Sequence, residues 1–163
     1  MNVTLKEVSQ EQEQTLQNLF QLYEYEFSAY VPSLQVNSDG LFKSANLMDY
    51  WKGSYYHAFF ILADDKIAGF ALVREANNDQ PNFIEQFFVL HYFSGKGIGK
   101  RAANTIFDSF PGKWQVLQIK NNYPAQAFWR NVITEYTNNN FEERYDKEDD
   151  RSSVQEFLSM KTE

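Results

Sequence analysis

Apolar residues near the start of the chain follow first a strand pattern and then a helical one. Asn2–Val8 alternates between apolar and polar positions, which is typical of a short strand. Between Leu16 and Tyr30, apolar residues recur every three to four positions, and this spacing predicts an amphipathic helix that ends before Pro32. The segment Leu41–Trp51 is predicted to carry a second, shorter helix. The start of the chain therefore predicts one strand followed by two helices.

The middle of the chain predicts three consecutive strands. His57–Ala63 and Lys66–Arg74 are apolar runs separated only by Asp64-Asp65, which indicates a hairpin. A polar loop, Asn77–Asn82, follows the hairpin. Phe83–Leu90 is rich in aromatic and branched residues and is predicted as the third strand of this group.

The last part of the chain predicts a helix, a strand, a helix and two strands. These elements are Ile98–Phe110, Trp114–Ile119, a helix that begins near Pro124 and includes Ala127, Phe128 and Ile133 among its apolar members, Phe141–Tyr145 and Val154–Met160. A charged turn, Asp146–Ser152, joins the final two strands. No internal repeat or linker interrupts the pattern, so we expect one mixed α/β domain over residues 1–163.

The amino-acid composition of the chain argues against several classes of function. A chain of 163 residues that is 43% hydrophobic is long enough for one well-formed core. It has no cysteine, which excludes disulfides and thiolate chemistry, and its two histidines disfavour a histidine-built zinc site. A net charge of −7 argues against general nucleic-acid binding and is compatible with a cationic or amine substrate.

Targeting signals are not evident in the sequence. The N-terminal residues MNVTLKEVSQEQEQ have neither the basic start nor the apolar run of a signal peptide. No stretch reaches the roughly 18 apolar residues that a membrane-spanning helix needs. We therefore expect a cytoplasmic protein that does not bind membranes.

One short stretch concentrates glycine and positive charge. Ser94–Arg101 reads SGKGIGKR and contains three of the seven glycines and three of the fifteen basic residues. It lies between a predicted strand and a predicted helix, where free backbone N–H groups bind phosphate readily. Cations beside a helix N-terminus oppose the helix dipole by roughly 0.3–1 kcal/mol each, and an anionic ligand would offset that cost. The stretch is either a phosphate-binding turn or an ordinary solvated one.

Two common phosphate motifs do not fit this stretch. A P-loop requires four residues between its first glycine and Gly-Lys, followed by Ser or Thr, whereas Arg101 follows Lys100 here. A dinucleotide-binding fingerprint requires G-x-G-x-x-G after a first strand, whereas this stretch has G-x-G-x-G after several strands.

A third pattern does fit. The segment VLHYFSGKGIGK, residues 89–100, resembles the acetyl-CoA-binding segment of the GNAT N-acetyltransferases, whose signature is Arg or Gln, two residues, Gly, one residue, then Gly or Ala. Gly97 and Gly99 match this signature, and Ser94 departs from its first position. A second family pattern, Asn followed by Ala and an aromatic pair, is matched downstream. Its residues are Asn122, Ala125, Phe128 and Trp129.

The resemblance implies a fold and an activity. The implied fold is a mixed, mostly antiparallel sheet of six to seven strands with about four helices, in which a splayed strand pair forms the cofactor cleft. The implied activity is direct transfer of an acetyl group from acetyl-CoA to a primary amine on a small molecule or peptide. The alternative is a non-catalytic acyl-CoA-binding or regulatory module with the same fold. The sequence leaves open whether the chain acts as a monomer or a homodimer.

The resemblance also assigns the residues that would hold the cofactor. Backbone groups near Val89 would pair with pantetheine and polarise the acetyl carbonyl, and the glycine turn would bind pyrophosphate. Asn122 would hold the pantetheine or the thiol region. The full set is Phe88, Val89, Leu90, Ser94, Gly95, Lys96, Gly97, Ile98, Gly99, Lys100, Asn122 and Phe128.

Glu85 is the candidate general base. Glu85 stands four residues before Val89, on the same face of the predicted strand and beside Phe83 and Phe87, where desolvation would raise its pKa. A glutamate on the solvated side of the strand is the alternative. No acid is assigned, because Trp129 stands where many family members have tyrosine, and an indole N–H does not ionise near neutral pH.

Aromatic and acidic residues of the first helices could contribute to an acceptor pocket or simply to the core and a solvated face. They are Tyr23, Glu24, Tyr25, Glu26, Tyr30, Trp51 and Tyr55.

Overall fold

The computed structural model describes residues 1–148 and 151–160, so Asp149 and Asp150 of the predicted charged turn lie outside the described residues. These residues form seven strands and four α-helices in the predicted order. The elements are β1 (Val3–Glu7), α1 (Glu13–Phe27), α2 (Met48–Lys52), β2 (Tyr56–Ala63), β3 (Lys66–Arg74), β4 (Asn82–Val89), α3 (Ile98–Ser109), β5 (Gly112–Gln118), α4 (Tyr123–Thr137), β6 (Glu142–Asp146) and β7 (Ser152–Ser159).

All seven strands belong to one open sheet in the order β1-β2-β3-β4-β5-β7-β6. Every neighbouring pair is antiparallel except β4–β5, which is parallel. The predicted mixed, mostly antiparallel sheet is confirmed. No helix among residues 1–148 and 151–160 is long and apolar enough to cross a membrane.

Helices cover both faces of the sheet, and each face has its own core. On one face, Leu16 and Phe20 of α1 pack with Phe60 and Phe70 of β2 and β3. On the other face, Phe107 of α3 and residues of α4 pack against the apolar side of β5 and β7. A sheet with a helix layer on each side buries the apolar residues of both its faces.

The second helix is shorter than predicted. Expected over Leu41–Trp51, it spans only Met48–Lys52. Side chains from α1 replace the missing helical hydrogen bonds, because Gln21 bonds both the N–H and the carbonyl of Phe42. Gln17 does the same for Ala45. Since these backbone groups already have partners, the segment stays extended along α1.

Other boundaries and faces also differ from the prediction. Helix α1 ends at Phe27 rather than near Tyr30, and the chain then forms a series of turns. Ala127, expected among the apolar members of α4, is exposed, whereas Gln126 is buried. Gln126 occupies the inner face because its amide donates to the carbonyl oxygens of Ile119 and Lys120, both at 3.0 Å.

A β-bulge interrupts the pairing of β3 with β4. Leu72 pairs with Gln86 and Val73 with Ile84, which leaves Glu85 as the extra residue of β4. An extra residue shifts the inward and outward alternation by one position and increases the local twist.

Because of the bulge, Glu85 does not lie where the sequence analysis predicts. Phe87 packs on the rings of α4 and Val89 packs against the first turn of α3, both on one face of the sheet. Glu85 instead forms an ion pair with Arg74 and lies close to Tyr50 of α2, on the other face. The prediction that Glu85 shares a face with Val89 is therefore wrong, because regular alternation does not anticipate an inserted residue.

The parallel pair β4–β5 separates almost as soon as it forms. Only Asn82 with Trp114 and Phe83 with Gln115 are paired. Asn82 is buried and fixes this end of the gap, because its side chain accepts a hydrogen bond from the Ala76 N–H and donates one to the carbonyl of Phe110. Beyond these pairs the two strands diverge, as the predicted splayed pair requires.

We expect core packing of α1 to dominate stability. Leu16→Ala should lower the free energy of unfolding by about 3 kcal/mol, because Leu16 is completely buried and its removal leaves a cavity. Leu22→Ala is the matched control on the same helix, where the side chain is half exposed, and we expect a change within about 0.5 kcal/mol. Urea unfolding measures both variants, and equal effects would contradict the assigned orientation of α1.

Candidate active site

A cavity of about 1030 Å³ occupies the gap where β4 and β5 diverge. The inner edges of the two strands form its floor. The first turn of α3 and one side of α4 form one wall, and the end of α1 with the following segment to Leu34 forms the other. A hydrogen bond of 3.0 Å from the Asn121 side chain to the Tyr30 carbonyl joins that segment to the loop after β5. The cavity is thus a cleft with two chemically different sides.

The β4 edge of the cleft presents backbone groups that, beyond Phe83, have no strand partner in the part of the chain that the structure describes. Leu90 donates its N–H to the Ala68 carbonyl at 2.7 Å, on the β3 side. Because backbone groups alternate along a strand, the N–H groups of Phe87 and Val89 point the other way, into the gap. The edge can therefore accept an extended ligand as an additional strand, with Val89 N–H as a free donor.

The glycine turn places a helix N-terminus at the end of this edge. Gly95 and Gly97 have φ values of +74° and +76°, which only glycine adopts at little cost. The helical hydrogen bonds begin with Arg101 N–H to the Gly97 carbonyl at 3.1 Å. The N–H groups of Ile98, Gly99 and Lys100 precede that bond, so they have no acceptor within the helix and are available to an anion.

Gly99 serves a different purpose in the same turn. Its φ is not in the left-handed region, but a Cβ at this position would lie 3.1 Å from the Phe128 ring and 3.5 Å from Val89. Glycine here allows α3 to approach α4 and β4 closely. The third glycine of the motif thus sets the width of the cleft near its anion-binding end.

The three basic residues of the motif have separate roles. Lys100 lies on the cleft wall and pairs with Glu135 of α4 at 2.6 Å. Lys96 lies over the ring of Tyr92, 3.8 Å from its centroid. Arg101 donates to the carbonyl oxygens of Met1, Lys96 and Gly97, so it braces the turn.

Asn122 and the start of α4 complete the cofactor wall. The Asn122 side-chain oxygen accepts a hydrogen bond from the Ala125 N–H at 3.2 Å and caps α4. The amide nitrogen of Asn122 remains available to donate to a ligand. Phe128 lines the cleft and stacks on Phe87 with ring centroids 5.8 Å apart.

Glu85 lines the cleft from the α1 side. Its carboxylate lies 3.4 Å from the Arg74 guanidinium, and 28% of its side chain is exposed. Burial raises the pKa of Glu85, and the nearby Arg74 opposes that rise. A carboxylate that lines a cleft and has a raised pKa is a candidate general base.

The α1 wall is acidic and aromatic. Glu24 and Glu26 line the cleft together with Tyr23 and Tyr30, and burial raises the pKa of Glu24. Glu26 pairs with His91 at 2.9 Å, and the side chain of His91 is largely exposed. Together with Glu85, this side of the cleft carries three carboxylates.

A polar side chain that the sequence analysis missed lies between the two walls. Gln86 of β4 accepts a hydrogen bond of 2.5 Å from the Tyr23 hydroxyl, and burial together with the charge of Glu24 raises the pKa of that hydroxyl. Gln86 reaches α1 because it shares the α1 face of β4 with Phe88, as regular alternation after the bulge requires. No signal in the sequence marks its contact with Tyr23, which lies 63 residues away.

Most of the residues predicted for the site come together around the cleft, whereas Leu90 and Lys96 lie outside its lining. Of the aromatic residues expected near an acceptor, Tyr25 and Tyr55 are exposed, and Trp51 donates a hydrogen bond to Glu13 away from the cleft. The predicted residues that line it are Glu85, Phe88, Val89, Ser94, Gly95, Gly97, Ile98, Gly99, Lys100, Asn122 and Phe128.

Comparisons with solved structures identify the fold. The chain is similar to an acetyltransferase from Thermus thermophilus, with a TM-score of 0.71 and 12% identity over 97% of each chain. It is also similar to a GNAT-family acetyltransferase from Staphylococcus aureus, with a TM-score of 0.64 and 14% identity over 98% of this chain and 100% of that one. At these identities the likeness establishes a shared fold.

A third similar structure was solved with a ligand. It is the PaiA N-acetyltransferase from Thermoplasma acidophilum in complex with coenzyme A, with a TM-score of 0.62 and 15% identity over 97% of this chain and 99% of that one. Among curated proteins, no sequence matches this chain. The family model described as Acetyltransferase (GNAT) family matches residues 16–132, which is more than half of the chain. The chain therefore belongs to the GNAT acetyltransferase family.

Proposed function

We propose that the protein transfers an acetyl group from acetyl-CoA directly to a primary amine on a small molecule or peptide. The observation that carries this proposal is a single cleft with an anion-binding turn at one end and carboxylates on the opposite wall. An acyl-CoA ester and a cationic amine need such a pair of environments. The strands diverge between them, so both ligands could reach the same backbone edge.

The donor side fits a phosphorylated ligand with an extended arm. Backbone N–H groups from Ile98 to Lys100 would bind the pyrophosphate, and the β4 edge would pair with pantetheine. Acetyl-CoA supplies the activated acetyl group as a thioester. Val89 N–H would donate to the thioester carbonyl oxygen, where negative charge develops during the reaction. The similar PaiA enzyme, solved with coenzyme A, supports this choice of donor.

The acceptor side fits an amine. An amine arrives protonated near neutral pH, and the carboxylates of Glu24, Glu26 and Glu85 would attract it. The nitrogen must lose a proton before it can attack the carbonyl carbon. Glu85 would take that proton, directly or through a water molecule, since its raised pKa suits a general base. A cytoplasmic location stays a prediction from the sequence, and the choice between monomer and homodimer stays open.

Acetyl-CoA should stabilise the protein. At about a hundred times its Kd, acetyl-CoA should add roughly 2.7 kcal/mol to the free energy of unfolding and raise the Tm by several degrees. Adenosine, which lacks the pyrophosphate, is the control and should have little effect. If millimolar acetyl-CoA does not raise the Tm, the proposed donor is contradicted. If acetyl-CoA raises the Tm but the protein acetylates no amine in a panel, the non-catalytic acyl-CoA-binding module is favoured.

Gly97→Glu should abolish most binding of coenzyme A, because it adds a carboxylate beside the proposed pyrophosphate site. Gly40→Glu is the matched control, because Gly40 has a φ of +77° against +76° for Gly97 and lies outside the cleft lining. The same residue in the same backbone conformation therefore imposes the same strain. Calorimetric titration should show that Gly97→Glu, but not Gly40→Glu, binds coenzyme A at least about ten-fold more weakly. A ten-fold loss of affinity corresponds to about 1.4 kcal/mol of binding free energy. Equal affinities would refute the site.

Glu85→Gln should lower kcat by about a hundred-fold, the usual contribution of a general base. The wild-type rate should fall as the pH drops through the pKa of Glu85, because the base must be ionised. Burial raises that pKa, so the acid limb should lie above the usual carboxyl range and disappear in the variant. Glu75→Gln is the control, since Glu75 pairs with His57 outside the cleft lining. If the rate of Glu85→Gln still falls at low pH as the wild-type rate does, another residue is the general base.

A further inference from the structure

The carboxylate proposed as the general base has a cationic neighbour on the same face of the sheet. Arg74 is the last residue of β3 and pairs with Phe83 in the β3–β4 ladder. Its Nη1 atom lies 3.4 Å from Oε1 of Glu85. The two side chains are 26% and 28% exposed, so bulk water screens their charges only in part.

The β-bulge in β4 creates this contact. Leu72 of β3 packs with α1 and Val73 packs on the α4 face, so alternation puts Arg74 on the α1 face. Without the extra residue in β4, Glu85 would stand opposite Val73 and point to the α4 face. The insertion instead turns the Glu85 side chain to the face that Arg74 occupies. The ion pair therefore depends on the one extra residue of β4.

The surroundings of the Arg74 guanidinium indicate that its charge has a role beyond stability. Its Cζ atom lies 5.0 Å from the centroid of the Phe83 ring, within the range of a cation–π interaction. Its Nε atom is buried and has no hydrogen-bond partner among residues 1–148 and 151–160. A buried donor without a partner lowers stability, so folding alone does not favour this arrangement. A cation that is kept at such a cost points to its neighbour, Glu85.

Arg74 is the cation within ion-pair distance of Glu85 in the part of the chain that the structure describes. Burial raises the pKa of Glu85, and Arg74 lowers it. Burial also raises the pKa values of Tyr23 and Tyr50, so both hydroxyls stay neutral near neutral pH. The titratable groups on the other elements around Glu85 are Tyr56 of β2, Asp49 and Tyr50 of α2, and Tyr23, Glu24 and Glu26 of α1.

We propose that Arg74 is the positioning residue for the general base: it holds one carboxylate oxygen of Glu85 and leaves the other for the proton of the amine. This proposal rests on the proposed function. Arg74 lies outside the cleft lining, so it acts through Glu85 and does not contact the substrate.

The charge of Arg74 serves the proton transfer twice. Before the reaction it offsets desolvation and keeps Glu85 ionised, as a base must be. In the reaction an N–H bond of the amine breaks and an O–H bond forms on Glu85. The protonated carboxyl no longer neutralises Arg74, so the guanidinium favours release of that proton to water. The carboxylate is thereby restored for the next turnover.

The first test titrates Glu85 directly and needs no acceptor. The protein is labelled with carbon-13 at the glutamate side-chain carboxyls, and Glu85→Gln identifies the Glu85 signal by its loss. Arg74→Met removes the charge and keeps a long side chain, so the titration midpoint of Glu85 should rise by about one pH unit. Arg74→Lys keeps a positive charge and should move the midpoint less. A midpoint in Arg74→Met that equals the wild-type value overturns the proposal.

The second test follows the acid limb of kcat/KM with an amine that the protein acetylates. In Arg74→Met the limb should rise by the same amount, so the rate below both limbs should be about ten-fold lower than in the wild type. Above both limbs the two rates should agree. Arg144→Met is the matched control, since Arg144 pairs with Glu156 outside the cleft lining. A residue that is only structural would lower the rate equally at every pH, and that result would overturn the proposal.

The third test combines the two variants. In a Glu85→Gln background, Arg74→Met should leave the pH profile unchanged, because the carboxylate on which Arg74 acts is gone. If Arg74→Met lowers the rate of Glu85→Gln as much as that of the wild type, Arg74 acts elsewhere and the proposal falls.

These measurements distinguish failure of this proposal from failure of the proposed function. If Glu85→Gln removes the acid limb and Arg74→Met does not move it, Glu85 is the base and Arg74 does not position it. If the limb persists in Glu85→Gln, Glu85 is not the base and both assignments fall. Thermal unfolding establishes that Arg74→Met is folded, and Arg74→Gln is a second neutral variant if it is not.

Discussion

The early separation of β4 from β5 is the constraint on which the rest of the site depends. A parallel pair that ends after two residue pairs leaves an edge of β4 without a strand partner among residues 1–148 and 151–160. Such an edge would normally be a liability, because unpaired backbone groups recruit other strands. Here the helices α3 and α4 and the segment after α1 surround it, so that only a slender ligand can pair with it.

The bulge at Glu85 contributes to this separation and assigns residues to the two sides of the cleft. It lies two residues beyond the last β4–β5 pair, and the extra twist it introduces turns β4 away from β5. The same insertion puts Glu85 on the α1 side, where Gln86 already lies, and leaves Phe87 with α4. One additional residue therefore brings the Glu85 carboxylate to the α1 side of the cleft, while Phe87 stays on the α4 side.

Much of the fold could be predicted because it depends on local patterns. The hairpin around Asp64-Asp65, the aromatic strand before the glycine turn and the helix after it all have short-range signals. The shortened α2 could not be predicted, since the cause is the pairing of Gln17 and Gln21 with backbone that lies more than twenty residues away. A polar residue in helical spacing gives no indication that it will bond a distant chain segment.

The backbone geometry of the candidate site could be predicted at the glycine turn, where the motif residues are contiguous in sequence. Gly95 and Gly97 are required by their own backbone angles, which the turn dictates locally. The separate roles of Lys96, Lys100 and Arg101 depend on neighbours from other elements, such as Glu135 and the Met1 carbonyl. Adjacent residues of the same charge thus differ in function for reasons that lie outside the motif.

Because only two residue pairs join β4 to β5, the sheet consists of two blocks of strands. Strands β1–β4 form one antiparallel block and β5, β7 and β6 form another, and very few backbone hydrogen bonds join them. Side chains join them instead, because one apolar cluster contains Val73 and Ile84 from the first block and Trp114 and Phe157 from the second. The contact between the two blocks therefore depends on side-chain packing more than on backbone hydrogen bonds. Amide hydrogen exchange along the cleft would then follow the tightness of that apolar cluster more closely than the strength of any ladder.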